Sequence, residues 1–206
     1  MRLGRPERGM AEENVELRRH RRSNYGLYGR WYADPEIWHL TSWAPSPPAP
    51  ESVRRLFEER EGSRTEESFA IHPKGDPNPI GVISLINISR PNASADLSVI
   101  VAPRSMRHKG YGSAAIRALL RYAFGELNLN RVGLSVFEFN AAAIAAYEKL
   151  GFREEGRLRR AVRRDGRFYD AILMSILKQE WEAREEEARG GRAPSTPREP
   201  RPRSAR

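Results

Sequence analysis

The segment that most constrains the fold lies between residues 95 and 126, where a strand, a basic turn and a long helix follow one another. The apolar run at 95–101 predicts a strand, which has to end before Pro103. Beyond the turn, apolar side chains recur at helical spacing, which predicts one amphipathic helix from Gly110 to Glu126. Its repeating apolar residues are Ile116, Leu119, Leu120, Ala123 and Phe124. A helix with one apolar face beside an apolar strand indicates an α/β protein.

The rest of the chain continues the same alternation on both sides of this segment. Earlier residues predict a strand at 15–18, helices at 24–33, 34–40 and 50–61, and strands at 68–72 and 80–88. Later residues predict a strand at 131–137, a helix at 140–150, and a hairpin of strands at 152–162 and 168–177. A chain of 206 residues is long enough for one domain with a real core. We therefore predict a single α/β domain with a mixed sheet at 14–180.

The two ends of the chain differ from this core in composition. Residues 1–13 are charged, contain glycine and proline, and have no period, so we expect a flexible leader. Residues 181–206 are rich in glutamate and then in glycine, proline and arginine. Such a segment buries too little apolar surface to offset the entropy of ordering it, so we expect a disordered tail.

Composition narrows the function classes. The chain has no cysteine, which excludes disulfides, thiolate metal sites and a cysteine nucleophile. Its four histidines are scattered, so we expect no metal. No apolar run has membrane-spanning or signal-peptide character, so we expect a cytoplasmic protein with no membrane partner. The net charge of +9 fits either a nucleic-acid partner or solvated arginines, and we favour the latter because no helix carries a basic stripe.

The turn at 107–112, Arg-His-Lys-Gly-Tyr-Gly, indicates a site for an anion. Gly110 and Gly112 allow a ligand to approach the backbone closely. The free N–H groups and the dipole of the following helix suit a pyrophosphate, and Arg107 and Lys109 add positive charge. A Rossmann loop would need a further glycine and an acidic residue about twenty positions later, which are missing. The alternative is an ordinary turn with a solvated basic patch.

A second motif follows at 140–152. Asn140 is a plausible N-cap and Gly151 a plausible C-cap of the intervening helix. Asn140 and Tyr147 are seven residues apart, about two helical turns, so they share a face. Taken alone, this segment fits a capped helix with a core tyrosine equally well.

The two motifs, in this order and at this spacing, resemble the GNAT superfamily of N-acetyltransferases. The resemblance covers residues 15–177, and the segments 34–36, 153–159 and 165–170 are similar to the branch of ribosomal-protein N-terminal alanine acetyltransferases and spermidine acetyltransferases. It implies a mixed, mostly antiparallel, twisted sheet of about seven strands, splayed at the fourth and fifth and flanked by helices.

The resemblance also implies acetyl-coenzyme A as the acetyl donor and a set of residues that bind it. The turn would hold the pyrophosphate, the fourth strand would pair with the pantetheine arm, and the later helix would supply further contacts. The implied residues are Val99, Ile100, Val101, Arg107, His108, Lys109, Gly110, Tyr111, Gly112, Ser113, Asn140, Ala143 and Tyr147.

Catalytic roles follow from the same resemblance. Tyr147 matches the general acid that protonates the departing thiolate. One ribosomal-protein branch has a glutamate base where this chain has Ser135, so the candidate bases are Asp96 and then Glu138. Asp96 is equally compatible with a strand-end turn, and Glu138 with a solvated loop charge.

The acceptor is a primary amine in this family, on a protein N-terminus or a small molecule. The early helices and the last hairpin would form its cleft, which makes Trp38, Trp43, Tyr169 and Asp170 candidate substrate-binding residues. The alternative for the tryptophans is a structural role in the core or a loop. A basic surface disfavours a polyamine acceptor. Two alternative functions stay open, a non-catalytic acetyl-coenzyme A sensor or scaffold and a ribosome-associated module, as does a homodimer through apolar residues near the last strand.

Overall fold

The computed structural model describes residue 12 and residues 14–190. Seven strands form one sheet in the order β1-β2-β3-β4-β5-β7-β6, and only the β4–β5 pair is parallel. The strands are β1 Val15–Arg18, β2 Glu67–Pro73, β3 Gly81–Ser89, β4 Ser94–Val101, β5 Arg131–Phe137, β6 Arg153–Arg164 and β7 Arg167–Leu177. The predicted mixed, mostly antiparallel sheet of seven strands is confirmed.

Among the described residues, six α-helices flank the sheet. They are α1 Tyr25–Ala33, α2 Pro35–Thr41, α3 Pro50–Arg60, α4 Tyr111–Arg121, α5 Ala141–Leu150 and α6 Lys178–Gly190. Asp34 caps α2 by accepting hydrogen bonds from the backbone N–H groups of Glu36 and Ile37. The helix predicted to run to Glu126 instead ends as an α-helix at Arg121 and continues as a π-helical turn over Tyr122–Glu126.

Helices cover both faces of the sheet, and each face has its own core. Helix α4 packs on one face against residues such as Ile83 and Leu97. Helices α1 to α3 pack on the other face, the α1–α3 face, where Val82 and Ile100 are buried. Because side chains alternate along a strand, neighbouring residues of β4 point to opposite faces. This alternation decides which helix each β4 side chain meets.

Strands β4 and β5 separate after a short contact. Ser94, Ala95 and Asp96 pair with 131–133, and the pairing stops there although both strands continue. A Cβ atom on Gly133 would lie 2.8 Å from Arg131 Nη1 and 3.0 Å from Asp96 Oδ1, so glycine leaves room for these two side chains at the last shared position. The predicted splay between the fourth and fifth strands is confirmed.

Helix α6 continues past the predicted C-terminal boundary at residue 180, as far as Gly190. Trp181 is buried with its ring centroid 6.4 Å from that of Phe124, and Arg184 donates a hydrogen bond to the carbonyl of Lys149. One buried aromatic side chain therefore anchors a helix that is otherwise charged. The remaining tail at 191–206 and the leader, apart from Glu12, lie outside the described residues.

Within the described part of the chain, no helix is long and apolar enough to cross a membrane.

Candidate active site

A cavity of about 750 Å³ opens where β4 and β5 separate, and strand alternation divides its lining. On the α4 side β4 presents Val99 and Val101, and on the α1–α3 side it presents Asp96 and Ser98. We call these parts the α4 half and the α2 half. The α4 half is lined by Val99, Val101, Arg107, His108, Gly110, Gly112, Ser113, Asn140, Ala143 and Tyr147, and the α2 half by Ile37, Leu40, Trp43, Asp96, Ser98, Ser135 and Phe137.

The N-terminus of α4 opens into the α4 half. Gly110 precedes the helix with a φ of +81°, which favours glycine, and a Cβ there would meet no described atom within 4 Å. No side chain of the described residues caps this helix end. Its first N–H groups are therefore available to an anionic ligand, and the open space at Gly110 fits a pyrophosphate approaching the backbone.

Arg107 lines the cavity, but its guanidinium is already engaged. Nε donates to the Val101 carbonyl at 3.0 Å, Nη2 donates to the Ala102 carbonyl at 2.9 Å, and Nη1 lies 2.9 Å from a Glu36 carboxylate oxygen. The hydrogen bond from Arg107 is the main cause that holds the pKa of Glu36 below its usual value. Arg107 thus ties α2 to the end of β4, a role that the sequence motif did not indicate.

The other residues predicted in the turn take different positions. His108 lines the cavity with a φ of +58°, and Gly112 and Ser113 line it through the first turn of α4. Lys109 is exposed and Tyr111 is half-buried, and both lie outside the cavity lining. The backbone of the turn therefore contributes more to the cavity than its charged side chains do.

Helix α5 brings Asn140 and Tyr147 to the same wall. Asn140 Oδ1 accepts a hydrogen bond from the Ala143 N–H, and its Nδ2 donates to the Leu40 carbonyl, both at 3.3 Å. The Tyr147 hydroxyl has no hydrogen-bond partner among the described residues. Burial raises the pKa of Tyr147 to about 12. The phenol therefore stays protonated at neutral pH and is able to donate a proton into the cavity.

Asp96 sits at the last paired position of β4 and faces the α2 half. Its Oδ2 accepts a hydrogen bond of 3.0 Å from Asn87 Nδ2. Asn87 adopts the left-handed conformation, with a φ of +53°, at the irregularity in the β3–β4 pairing. Sequence reasoning missed Asn87, although an isolated asparagine inside an apolar strand is a recognisable signal for such an irregularity.

Glu138 and Asp170 lie outside the cavity, contrary to the sequence-based expectation. Glu138 Oε1 accepts a hydrogen bond of 2.9 Å from the Asp170 N–H, and the Glu138 N–H donates to the Asp170 carbonyl at 3.1 Å. The Asp170 carboxylate in turn accepts from the Arg160 N–H at 2.8 Å. Both carboxylates therefore hold the irregular end of the last hairpin in place.

The aromatic residues predicted for the acceptor site differ in whether they line the cavity. Trp43 lines the α2 half, is 52% exposed, and packs edge-on against Phe137 with the centroids 5.1 Å apart. Trp38 is outside the lining and donates through Nε1 to the Ala44 carbonyl at 3.0 Å. Tyr169 also lies outside and packs edge-on against Phe139. Of the four predicted acceptor-site residues, the structure brings only Trp43 to the cavity.

Arg164 supports this wall from behind and was not predicted. It is 3% exposed, donates hydrogen bonds to the carbonyls of His39 and Ser42, and stacks on Trp38 with its guanidinium carbon 4.4 Å from the ring centroid. None of its ion-pair distances to described carboxylates falls within 4.0 Å. Burial lowers its pKa from the ordinary arginine value. Nothing in the sequence distinguishes Arg164 from the other arginines of 157–167.

Comparison with known proteins agrees with this geometry. Residues 14–153 match the acetyltransferase (GNAT) domain family. The chain is 38% identical over 107 residues to a putative ribosomal N-acetyltransferase, YdaF, of Bacillus subtilis (52% of this chain and 58% of that relative). It is 32% identical over 136 residues to a spermidine N(1)-acetyltransferase of Vibrio cholerae (66% of this chain and 78% of that relative).

A solved structure is similar over nearly the whole described chain. The Vibrio cholerae spermidine N-acetyltransferase in complex with CoA and spermine is 27% identical and superimposes with a TM-score of 0.76, covering 83% of this chain and 99% of that one. The open anion site at Gly110 and the unpaired edge of β4 fit the acetyl donor that the sequence predicted. The chain belongs to the GNAT acetyltransferase family and is an N-acetyltransferase that uses acetyl-coenzyme A.

Proposed function

We propose that this enzyme acetylates a primary amine, carried by a protein N-terminus or a small molecule, that binds in the α2 half of the cavity. The observation that carries the proposal is the meeting of the two halves in the gap between β4 and β5. A protonated tyrosine, Tyr147, lies on one side of the gap, and Asp96 and Ser98 lie on the other. The gap is therefore where an amine would meet the acetyl group.

The α4 half would hold the donor. The N–H groups at 111–113 would bind its pyrophosphate, and the β4 edge at 99–101 would pair with its peptide-like arm, with Asn140 and Ala143 on the opposite wall. The donor supplies a thioester carbonyl, which the amine attacks. Backbone N–H groups of β4 beyond Asp96 are free of strand pairing on the β5 side and would stabilise the developing oxyanion.

Tyr147 would act as the general acid. Its hydroxyl is unpartnered among the described residues and keeps its proton because its pKa is raised to about 12. Donation to the departing sulfur is worth about 10²–10⁴-fold in rate for a positioned acid. Asp96 would act as the base, since Asn87 fixes its carboxylate at the edge of the gap while Glu138 points elsewhere.

The charges of the α2 half favour an amine with one positive charge over a polyamine. Glu36 lies against two arginines, 2.9 Å from Arg107 and 2.8 Å from Arg104. Asp96 is then the remaining carboxylate of the described cavity lining without an arginine partner. A polycation would need further carboxylates to offset its desolvation. Spermidine, the acceptor named for the Vibrio cholerae relative, is therefore a weaker fit than a protein N-terminus or a small monoamine.

Thiol release from acetyl-coenzyme A across an amine panel tests the proposal. The panel contains short peptides with free N-termini, small monoamines and spermidine. We expect turnover with a peptide or monoamine at a kcat/KM above that for spermidine. Tight donor binding without turnover of any amine would instead support the alternative, a non-catalytic sensor or scaffold.

Three further expectations concern the protein's surroundings. Leu158, Phe168 and Leu177 are exposed on or beside the last hairpin, which supports a homodimer through that hairpin. Light scattering after size exclusion would give the mass directly. A cytoplasmic location and the absence of a nucleic-acid partner follow from composition alone and stay predictions.

A further inference from the structure

A row of polar side chains crosses the α1–α3 face of the sheet beneath α1 and α3. His20 Nε2 lies 2.8 Å from Ser68 Oγ on β2, and Ser68 Oγ lies 2.7 Å from Ser84 Oγ on β3. Ser98 on β4 is directly opposite Ser84 in the antiparallel register. The Ser84 and Ser98 hydroxyls make no direct hydrogen bond with each other, and directly opposite residues have Cβ atoms about 4.5–5.5 Å apart, a gap that one bridging water spans. We refer to His20, Ser68, Ser84 and Ser98 as the hydroxyl row.

The row joins two cavities that open at different places. Ser98 lines the α2 half of the active-site cavity, beside Asp96. His20 and Ser68 line a second cavity of about 730 Å³ between the sheet and α3. Ser84, at the centre, is 2% exposed and lines neither cavity. The row therefore spans the buried part of the sheet and has an accessible end on each side.

We propose that the hydroxyl row carries the proton of the acceptor amine from the active site to the second cavity. This inference rests on the proposed function, because it needs an amine in the α2 half. It answers a need left by the α2 half, where Asp96 is the one carboxylate of the described lining without an arginine partner. An alkylammonium of pKa about 10 has to lose a proton before it attacks, and a site filled by donor and acceptor leaves little room for bulk water.

The proton balance along the row is simple. The ammonium loses one proton to Ser98, directly or through Asp96, and becomes the neutral nucleophile. Each hydroxyl receives one proton and passes its own to the next, and the last proton reaches His20 Nε2. Protonated His20 then releases one proton to water in the second cavity. One ammonium has then lost a proton and the solvent has gained it, and the hydroxyls and the imidazole tautomer return to their starting arrangement before the next turnover.

The surroundings of His20 suit a transient carrier. Its Nδ1 lies 3.2 Å from the Tyr28 hydroxyl, so the tautomer with its proton on Nδ1 leaves Nε2 free to accept from Ser68. Burial is the main cause that lowers the pKa of His20 to about 4, and the positive charges of Arg60 and Arg19 lower it further. His20 is therefore neutral and able to accept a proton at any pH well above about 4.

Other charged groups face the histidine as well. Glu61 on α3 acts in the opposite direction to the arginines and raises the pKa of His20, while His72 on β2 lowers it slightly. Asp96, at the other end of the row, is the neighbouring carboxylate on β4. Since the net effect on His20 favours the neutral form, a proton that reaches it is released rather than held.

Breaking the row at its centre provides the test. In Ser84→Ala we expect kcat, measured with the best amine of the panel, to fall about 10-fold or more near pH 7, with the KM for acetyl-coenzyme A unchanged. The deficit should shrink as the pH approaches the acceptor's own pKa, because the amine then arrives neutral. Ser84→Thr restores a hydroxyl and should restore most of the rate.

A matched control separates the row from general destabilisation. Ser175 is also buried, at 5% exposure, and donates a hydrogen bond of 2.6 Å to Glu155 away from both cavities, so Ser175→Ala costs a comparable contact. If Ser84→Ala and Ser175→Ala have the same rate at every pH, the hydroxyl row does not carry the proton, while the proposed function still stands. Absence of turnover in the unmodified protein would overturn the proposed function, and the row with it.

The far end of the row gives a second, independent measurement. His20→Ala leaves an imidazole-sized space that opens to the second cavity. We expect added imidazole to recover part of the lost rate in a concentration-dependent manner, and to leave Ser84→Ala unaffected. A merely structural histidine would give no rescue that depends on imidazole concentration, and that result would count against the row.

Discussion

The two halves of the cavity are built in different ways. The α4 half consists mainly of backbone at 107–113, together with the helix that Asn140 caps, so its parts are close to one another in sequence. The α2 half depends on side-chain hydrogen bonds between residues at least one hundred positions apart, from Asn140 to Leu40 and from Arg164 to Ser42. A site made of backbone can be predicted from a short sequence motif. A site held together by hydrogen bonds between distant residues is recognisable only in the folded structure.

This difference suggests a division of labour. The α4 half presents N–H groups and open strand edges, which suit one ligand that every family member shares. The α2 half is a loop and a short helix held in place by a few side-chain hydrogen bonds. Substitution of those side chains can change which acceptor binds. If so, variants in the α4 half should alter donor kinetics, and variants in the α2 half should alter acceptor kinetics.

The largest effect is expected at Tyr147, which lies where the two halves of the cavity meet. Tyr147→Phe should lower kcat about 10²–10⁴-fold while the KM for acetyl-coenzyme A changes little, because only the proton is lost. Since the pKa of Tyr147 is raised to about 12, the unmodified enzyme should show no loss of kcat from this group between about pH 7 and pH 10. Steady-state kinetics over that range measure both.

The buried Tyr122 is a control for removing a phenol hydroxyl, because it packs in the core on the α4 face outside the cavity. Tyr122→Phe should keep most of the activity. An unchanged kcat in Tyr147→Phe would remove Tyr147 from the mechanism.

Asp96→Asn should have the next largest effect, on the acceptor side. We expect a fall in kcat/KM for the amine of about 10- to 100-fold near pH 7, smaller than for Tyr147 because part of the amine can arrive neutral. The amide keeps the shape, so Asn87 retains a partner and the strands stay in place. If the full pH–rate profile survives the substitution, Asp96 is not the base.

The fold and the α4 half could be predicted from the sequence because both depend on local sequence patterns. Apolar periodicity placed the seven strands, and the glycines and Asn140 marked the ends of α4 and α5. The sequence did not indicate the contacts of Glu138, Trp38 and Arg164, whose partners lie far from them in sequence or in loops. The extent of α6 was missed for the same reason, since Trp181 anchors this helix through a tertiary contact that local propensity does not reveal.

Gly110→Ala tests the α4 half through its backbone. A non-glycine residue at a φ of +81° costs about 1–2 kcal/mol, so the turn should distort and raise the KM for acetyl-coenzyme A about 10-fold. Gly75 is a matched control, with a φ of +79° and equally open space in the β2–β3 turn. Gly75→Ala should cost similar stability without raising that KM. Equal changes in both variants would mean that the turn does not contact the donor.

The smallest effect is expected for Arg164→Met. This variant tests most directly whether the α4 half and the α2 half act independently. Methionine fills the buried space but cannot donate to the carbonyls of His39 and Ser42, so the loop that carries Trp43 should loosen. Two lost hydrogen bonds of modest net worth predict a rise in the acceptor KM of about 3- to 10-fold. Loss of a buried, unpaired charge partly offsets the cost in stability, so the fold should survive.

The exposed neighbour Arg163 provides the control, because Arg163→Met removes the same charge from the same strand without touching that loop. Only Arg164→Met should raise the acceptor KM, and neither variant should raise the KM for acetyl-coenzyme A. If the donor KM rises together with the acceptor KM in Arg164→Met, the halves are mechanically coupled. The tie from Asn140 to the Leu40 carbonyl would then be the route, because Asn140 also caps the helix that carries Tyr147.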